Sequence, residues 1–304
     1  MTQLCADRVV LVTGAGNGIG RAHALAFAAA GARVVVNDLG GSRDGTGGSA
    51  GPAQAVVEEI RAAGGEAVAN LDDVSGWAGA ARMVEHAVDA FGRLDVVVNN
   101  AGILRDRALV TMEEQDWDAV LGVHLKGTFA VTHHAARYWR ERAKAGGTVA
   151  GRVINTTSAS GLFGNPGQAN YAAAKAGIAA LTITAAQELS RYGVTVNAVA
   201  PSALTRMTED IGVMSDLVER FDLVPENVSP VVVWLGSLLS GDLTGRVISV
   251  FGRRISVAEG WVNGPTATGT GRWSAQEAGR VVTDLAARAA VNADAFGERP
   301  ARSD

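Results

Sequence analysis

The sequence predicts an α/β protein with a doubly wound parallel sheet, a single domain over residues 1–263 and a C-terminal helical extension over 264–304. Three observations predict it. Short apolar, β-branched runs alternate with alanine-rich stretches of helical propensity along most of the chain. A glycine-rich turn stands between the first run and the first helical stretch. No linker divides this alternation before about residue 264.

The elements follow in order. Val9-Val10-Leu11-Val12 is a short apolar run ending in a glycine loop, as a buried parallel strand requires. Residues 21–30 are alanine-rich and read as a helix closed by Gly31, and 33–37 as the next strand. The glycines, Ser and Pro of 40–52 predict a loop. A helix over 53–63, stopped by Gly64-Gly65, leads to a strand over 66–71, a helix over 76–91 and a strand over 94–99. A helix from about Thr111, a strand over 151–156, a helix from about Tyr171 and a strand over 195–199 continue the pattern. Right-handed crossovers place helices on both faces of the sheet. In the extension, Ser274-Ala275-Gln276-Glu277 is a capping-box pattern. Val281, Val282, Leu285 and Ala289 then recur at helical spacing, which predicts a helix that docks on its own core or on a partner subunit.

Composition excludes several classes. The 304 residues suffice for one large domain with a buried core, and 47% apolar with 19% charged residues is globular rather than disordered. A formal charge of −4 without any basic run argues against nucleic-acid binding. The one cysteine, Cys5, excludes an intramolecular disulfide and suggests no metal site. His124, His133 and His134 lack partners at ligand spacing, so no metal is expected, and His133 and His134 are read as pointing apart on a helix. Without a leader pattern or an apolar stretch of membrane-spanning length, a cytoplasmic protein with no membrane contact is expected.

The chemistry lies in two separated motifs. Gly14, Gly18 and Gly20 fall where a strand becomes a helix, so a bare backbone can approach a pyrophosphate and the helix N-terminus can meet its charge. Asp38 ends the second strand, 24 residues after Gly14, where a carboxylate accepts from both ribose hydroxyls of an adenosine and repels a 2′-phosphate. Asn17 is not basic, so NAD is expected over NADP, with Arg43 placed to soften the preference. Tyr171 and Lys175 stand four residues apart on one helix face, thirteen residues after Ser158. A phenol titrates near ~10, and an adjacent ammonium is expected to lower it into the range of general acid–base work. Ser158 is expected to hold the substrate oxygen near that phenol. Thr157 and Ser160 are read as loop hydrogen-bonders, and a serine hydrolase is set aside for want of a Gly-x-Ser-x-Gly elbow.

Together these residues resemble the short-chain dehydrogenase/reductases over roughly residues 6–263. Thr13-Gly-Ala-Gly-Asn-Gly-Ile-Gly20 matches their cofactor loop, Asn99-Asn100-Ala101-Gly102 their central-strand motif, and Ser158, Tyr171 and Lys175 their active site. The resemblance implies a Rossmann fold, a nicotinamide cofactor, a small-molecule substrate and a homodimer or homotetramer. It places Asn17, Ile19, Asn100, Ala101, Gly102 and Pro201 in the cofactor site, and Asp73 and Val74 beside the adenine. It implies that Lys175 binds the nicotinamide ribose, Asn99 supports the sheet and cofactor, and Thr205 holds the carboxamide, although Ser202 stands where the family has glycine. Within Val123-His124-Leu125-Lys126-Gly127, His124 replaces the family's catalytic asparagine, whose backbone carbonyl holds a water in a proton relay to Lys175, and the resemblance implies that His124 takes that place in the relay.

Longer stretches resemble one branch, the (3R)-hydroxyacyl-CoA dehydrogenase unit of peroxisomal multifunctional enzyme type 2 and its stand-alone bacterial relatives. They are Val35 to Gly41 with the Gly-rich insert after it, Asn99 to Arg107, Val123 to Gly127, Ser158 to Gly161, Gly164 to Tyr171 and Arg206 to Thr208. This implies NAD-dependent oxidation of a (3R)-3-hydroxyacyl-CoA, with Arg105 and Arg107 placed to meet the anionic CoA and residues 202–225 setting substrate choice. The alternatives are a hydroxysteroid dehydrogenase, an acyl-carrier-protein ketoreductase, which Asp38 opposes, and a silent NAD-binding protein.

Overall fold

Every residue of the first strand, β1 (Val9–Thr13), is buried, and its pleat sends alternate side chains to opposite faces. Val10 and Val12 enter a core with Phe27 of α1 (Gly18–Ala29) and Ile60 of α2 (Gly51–Ala62). Val9 and Leu11 enter a second core with Met83 of α3 (Trp77–Phe91) and Trp139 of α5 (Gly127–Lys144). Each fully buried valine or leucine contributes about 1.5–3 kcal/mol, so both faces hold the sheet. The structure, a computed structural model, describes residues 3–202, 221–294 and 297–299.

The remaining strands are β2 (Arg33–Asn37), β3 (Glu66–Asn70), β4 (Val96–Asn99), β5 (Gly151–Thr156), β6 (Val194–Ser202), β7 (Val247–Phe251) and β8 (Arg254–Ala258). They form one eight-stranded sheet in the order β3-β2-β1-β4-β5-β6-β7-β8. All pairs are parallel except β7–β8. The chain runs outward from β1 to β3, then returns to place β4 on the other side of β1. That reversal opens a crevice beyond the strands' carboxyl ends, where such sheets bind ligands.

The departures from the expected elements are local. Helix α1 begins three residues earlier than expected, at Gly18, and α2 at Gly51, with Pro52 in its first turn. The helix expected from Thr111 is α4 (Glu114–Leu121), because Thr111 closes a turn onto the Ala108 carbonyl. A π-helical turn over Gly122–Lys126 carries α4 into α5. The helix Ser229–Gly236 and strands β7 and β8 were not among the expected elements. β8 pairs antiparallel because only the two residues Gly252 and Arg253 separate it from β7, too few for a crossover.

The terminal helix Ala275–Arg288 forms both halves of the expected capping box. It buries no residue, and Val281, Leu285 and Ala289 are only half-buried. Beyond it the chain returns to the domain, where Glu298 pairs with Arg254 at 2.9 Å and Gly297 lies against the Phe163 ring.

Candidate active site

The crevice is a cleft of about 830 Å³. Its cofactor wall begins at the glycine loop, where Gly14, Asn17, Gly18, Ile19 and Gly20 line it. A Cβ on Gly20 would overlap the Gly14 carbonyl and the Asn100 amide, so only glycine lets α1 start here. Asn100 Nδ2 donates to the Thr13 and Gly14 carbonyls at 3.0 and 3.1 Å, which ties the end of β4 to the loop. The first turn of α1 carries no acidic residue, and the Asn17 side chain does not cap it. Its free N–H groups therefore offer an open anion site.

Asp38 lines the same wall, held by two backbone donors: Gly16 N–H to Oδ2 and Gly40 N–H to Oδ1, both at 2.7 Å. A carboxylate accepts about four hydrogen bonds, so two sites remain for ribose hydroxyls. Asp73, Val74, Ala101, Gly102, Pro201 and Ser202 also line the cleft. The Asp73 carboxylate is engaged by Ser75, through its N–H and its hydroxyl, both at 2.8 Å. Thr205, Arg206, Met207 and Thr208 lie outside the described residues, as does most of the segment expected to choose the substrate.

Opposite stand the expected catalytic residues. Ser158 begins α6 (Ala159–Phe163), and Tyr171 and Lys175 lie in α7 (Ala169–Leu189), so one strand end and one helix bring all three to the cleft. Ser158 Oγ accepts from the Ser160 N–H at 3.2 Å and is hydrogen-bonded to Tyr171. Lys175 is buried, and its Nζ donates to the Thr156 carbonyl at 2.6 Å. The expectation that Lys175 lowers the tyrosine is not met here. Burial pushes the Tyr171 phenol up to about 12, Ser158 draws it down and the Asp106 carboxylate raises it. Burial also brings Lys175 down to about 7, so the ammonium meant to help is itself disfavoured.

His124 is buried in the π-helical turn, its ring edge-on to Tyr171 with centroids 5.1 Å apart. Its Nε2 lies 3.1 Å from the Ile103 nitrogen and 2.8 Å from the Ile103 oxygen, so its tautomer selects which bond forms. Burial, then Lys175, holds its pKa well below the ordinary value, so the imidazole is neutral. Its Nδ1 has no partner among the described residues. A Cβ on Gly102 would overlap this ring, which explains the glycine opposite it.

Several other readings change. His133 and His134 do not diverge: both rings pack on Trp77, at 4.8 and 4.7 Å. Among the described residues no cluster fit for a metal occurs, and no helix is long and apolar enough to cross a membrane. Gly47-Gly48-Ser49-Ala50-Gly51 does carry the Gly-x-Ser-x-Gly spacing that was held to be missing. It lies in the loop before α2 rather than after a strand, with Ser49 N–H bonded to the Leu39 carbonyl, so it builds no elbow. Arg107 pairs with Asp116 at 2.6 Å, and Arg105 Nε donates to the Asp44 carbonyl at 3.0 Å. Of the two, only Arg105 lines the cleft. Asp106, Asn165 and Gln168, absent from the expected site, line it too. Polar residues outside helix or strand periodicity carry no local signal of a site.

A nicotinamide-binding Rossmann fold with a Ser-Tyr-Lys cleft defines the class of this protein as an oxidoreductase acting on CH–OH groups. The family model for short chain dehydrogenase matches residues 8–215, and the chain belongs to that family. Among relatives, it is 47% identical over 259 residues to the hydroxyacyl-CoA dehydrogenase ChsB1 of Mycobacterium tuberculosis, covering 82% of this chain and 79% of that one. It is 52% identical over 228 residues to the mouse (Mus musculus) peroxisomal multifunctional enzyme type 2, covering 75% of this chain but 29% of that enzyme. A crystal structure of a short chain dehydrogenase from Mycobacterium avium superposes with a TM-score of 0.86 at 55% identity, covering 97% of this chain and all of that one.

Proposed function

We propose that this protein is an NAD-dependent dehydrogenase that oxidises a (3R)-3-hydroxyacyl-CoA to the 3-oxoacyl-CoA, acting as a homodimer or homotetramer. The observation that carries the chemistry is the meeting of Ser158, Tyr171 and Lys175 in one cleft with a glycine-built helix N-terminus. The similarity to ChsB1 over most of both chains supports the acyl-CoA substrate. NAD would be held by the α1 N-terminus and the Gly14–Gly20 turn, with Asp38 on the adenosine ribose and Lys175 toward the second ribose. When bound, it supplies the hydride acceptor.

The chain's own residues handle the proton. Ser158 accepts the Ser160 N–H, and its own hydroxyl proton, directed at the Tyr171 oxygen, would also meet the substrate oxygen placed between them. Tyr171 takes the alcohol proton at its phenolic oxygen during oxidation and returns it during reduction. Because burial keeps the phenol protonated at neutral pH, oxidation is expected to quicken as pH rises. The buried, neutral His124 holds the Ile103 backbone and packs on the tyrosine ring. Asp38 disfavours NADPH, which speaks against the ketoreductase reading.

The test is NADH formation by the purified protein with a panel of (3R)- and (3S)-3-hydroxyacyl-CoAs and hydroxysteroids. Turnover confined to (3R)-acyl-CoAs is the expected result, and turnover of steroids alone would overturn the substrate. Tyr171→Phe is expected to abolish turnover with NAD binding nearly intact. Retained turnover would defeat the mechanism.

A further inference from the structure

On the substrate side of the cleft, the loop carrying Asp106, helix α6 and the segment leading into α7 meet at a side chain outside the catalytic set. Gln168 stands three residues before Tyr171. Its Nε2 donates to Asp106 Oδ2 at 2.8 Å. Its Oε1 accepts from Ser160 Oγ and from Asn165 Nδ2, both at 2.9 Å. An ionised carboxylate only accepts, so the amide nitrogen must face Asp106 and the amide oxygen must face Ser160. The Ser160 hydroxyl is thereby obliged to donate, and the N–H of the same residue donates to Ser158 Oγ. The Gln168 amide thus fixes the sense of the bonds from Asp106 to the Ser160 hydroxyl, and the Ser160 N–H, which can only donate, carries the chain on to Ser158.

The backbone reinforces the arrangement. Arg107 N–H donates to the Gly167 carbonyl at 2.9 Å, and the buried Asn170 donates from Nδ2 to the Arg105 carbonyl at 3.0 Å. Asn170 Oδ1 in turn receives the Tyr171 N–H at 2.8 Å. These bonds tie the segment before Tyr171 to the loop carrying Asp106.

We propose that Gln168 is a positioning residue for hydride transfer: by holding Ser160 and Asp106 together, it sets the Ser158 hydroxyl against the Tyr171 hydroxyl and so fixes where the substrate oxygen sits. The inference rests on the reading of Ser158 and Tyr171 given above. A displacement of about 1 Å at such a centre costs on the order of 100-fold in rate, so a side chain that touches no reacting atom still governs turnover.

The experiment measures kcat, KM and NADH affinity of the full-length protein with (3R)-3-hydroxydecanoyl-CoA, or with a steroid alcohol if the panel selects one. Gln168→Met removes all three bonds at nearly constant volume. Gln168→Glu sets a carboxylate against Asp106. Gln168→Glu with Asp106→Asn restores every bond, because the carboxylate at 168 accepts from the amide at 106, the Ser160 hydroxyl and the Asn165 amide. Both single variants are expected to lose about tenfold or more in kcat, with NADH affinity unchanged, and the double variant to recover most of the loss. Wild-type kcat in a folded single variant, or no recovery in the double, would overturn the proposal. If Gln168→Met does not fold, the Glu pair decides alone. A Tyr171→Phe protein that still turns over would sink the catalytic reading and this inference with it. An inactive Tyr171→Phe beside unaffected Gln168 variants would sink the positioning role alone.

Discussion

The two walls of the cleft are built by opposite means. On the cofactor wall the decisive feature is missing atoms: Gly20 leaves room for the Gly14 carbonyl and the Asn100 amide, and Asp38 is held by the N–H groups of Gly16 and Gly40. On the substrate wall the shape comes from side-chain bonds, with Gln168, Ser160, Asn165 and Asp106 joining helix α6, the segment before α7 and the loop carrying Asp106. A wall stored in the backbone fails when any Cβ intrudes. A wall stored in hydrogen bonds worth about 1 kcal/mol each can be retuned one residue at a time. One architecture can thus keep its cofactor while its substrate side varies.

The largest expected effect breaks the cofactor wall. Gly20→Ala forces the glycine turn apart and is expected to cost about 1–3 kcal/mol of stability and to leave NADH binding undetectable by fluorescence titration. Binding at wild-type affinity would show that the turn yields. Asp38→Ala comes next. Loss of charge-assisted bonds worth about 1.5–3 kcal/mol is expected to raise the NAD KM at least tenfold and to bring NADP within reach. An unchanged NAD/NADP ratio of kcat/KM would remove Asp38 from cofactor choice.

A pH effect sharpens the comparison at the floor of the cleft. The Lys175 amine titrates at about 7 in the folded protein against its ordinary 10.5. Between those values the unfolded chain binds a proton that the folded protein does not, so stability rises with pH across that window. Below about pH 7 both states are protonated and the penalty is present in full. Burial pushes Cys5 from 9.0 up to about 11, an opposing slope that begins only near the upper end of the window. The melting temperature of the ligand-free protein is therefore expected to climb from about pH 7 to 9, and Lys175→Met to flatten that climb. Parallel curves for the two proteins would show that the buried amine is not the cause.

Much of the architecture was legible in local patterns. The run at Val9-Val10-Leu11-Val12, the glycines after it, Asp38 at the end of β2, and Ser158, Tyr171 and Lys175 are each recognisable within a short window. Strand periodicity, helix propensity and turn chemistry all act between near neighbours, and so a linear reading finds them. The antiparallel β8 was missed because its register depends on β7 rather than on its own composition.

The sequence by itself determined the alternating α/β order, the glycine loop and which side chains, Ser158, Tyr171 and Lys175, are the candidates for catalysis. Only the tertiary structure decided their state: a phenol raised rather than lowered, an amine near 7, a neutral imidazole fitted into the space beside Gly102, and an amide joining Gln168 to Asp106 across 62 residues of chain. Those properties depend on burial and on partners far away in sequence, because desolvation and hydrogen-bond direction are set by atoms that only folding brings together.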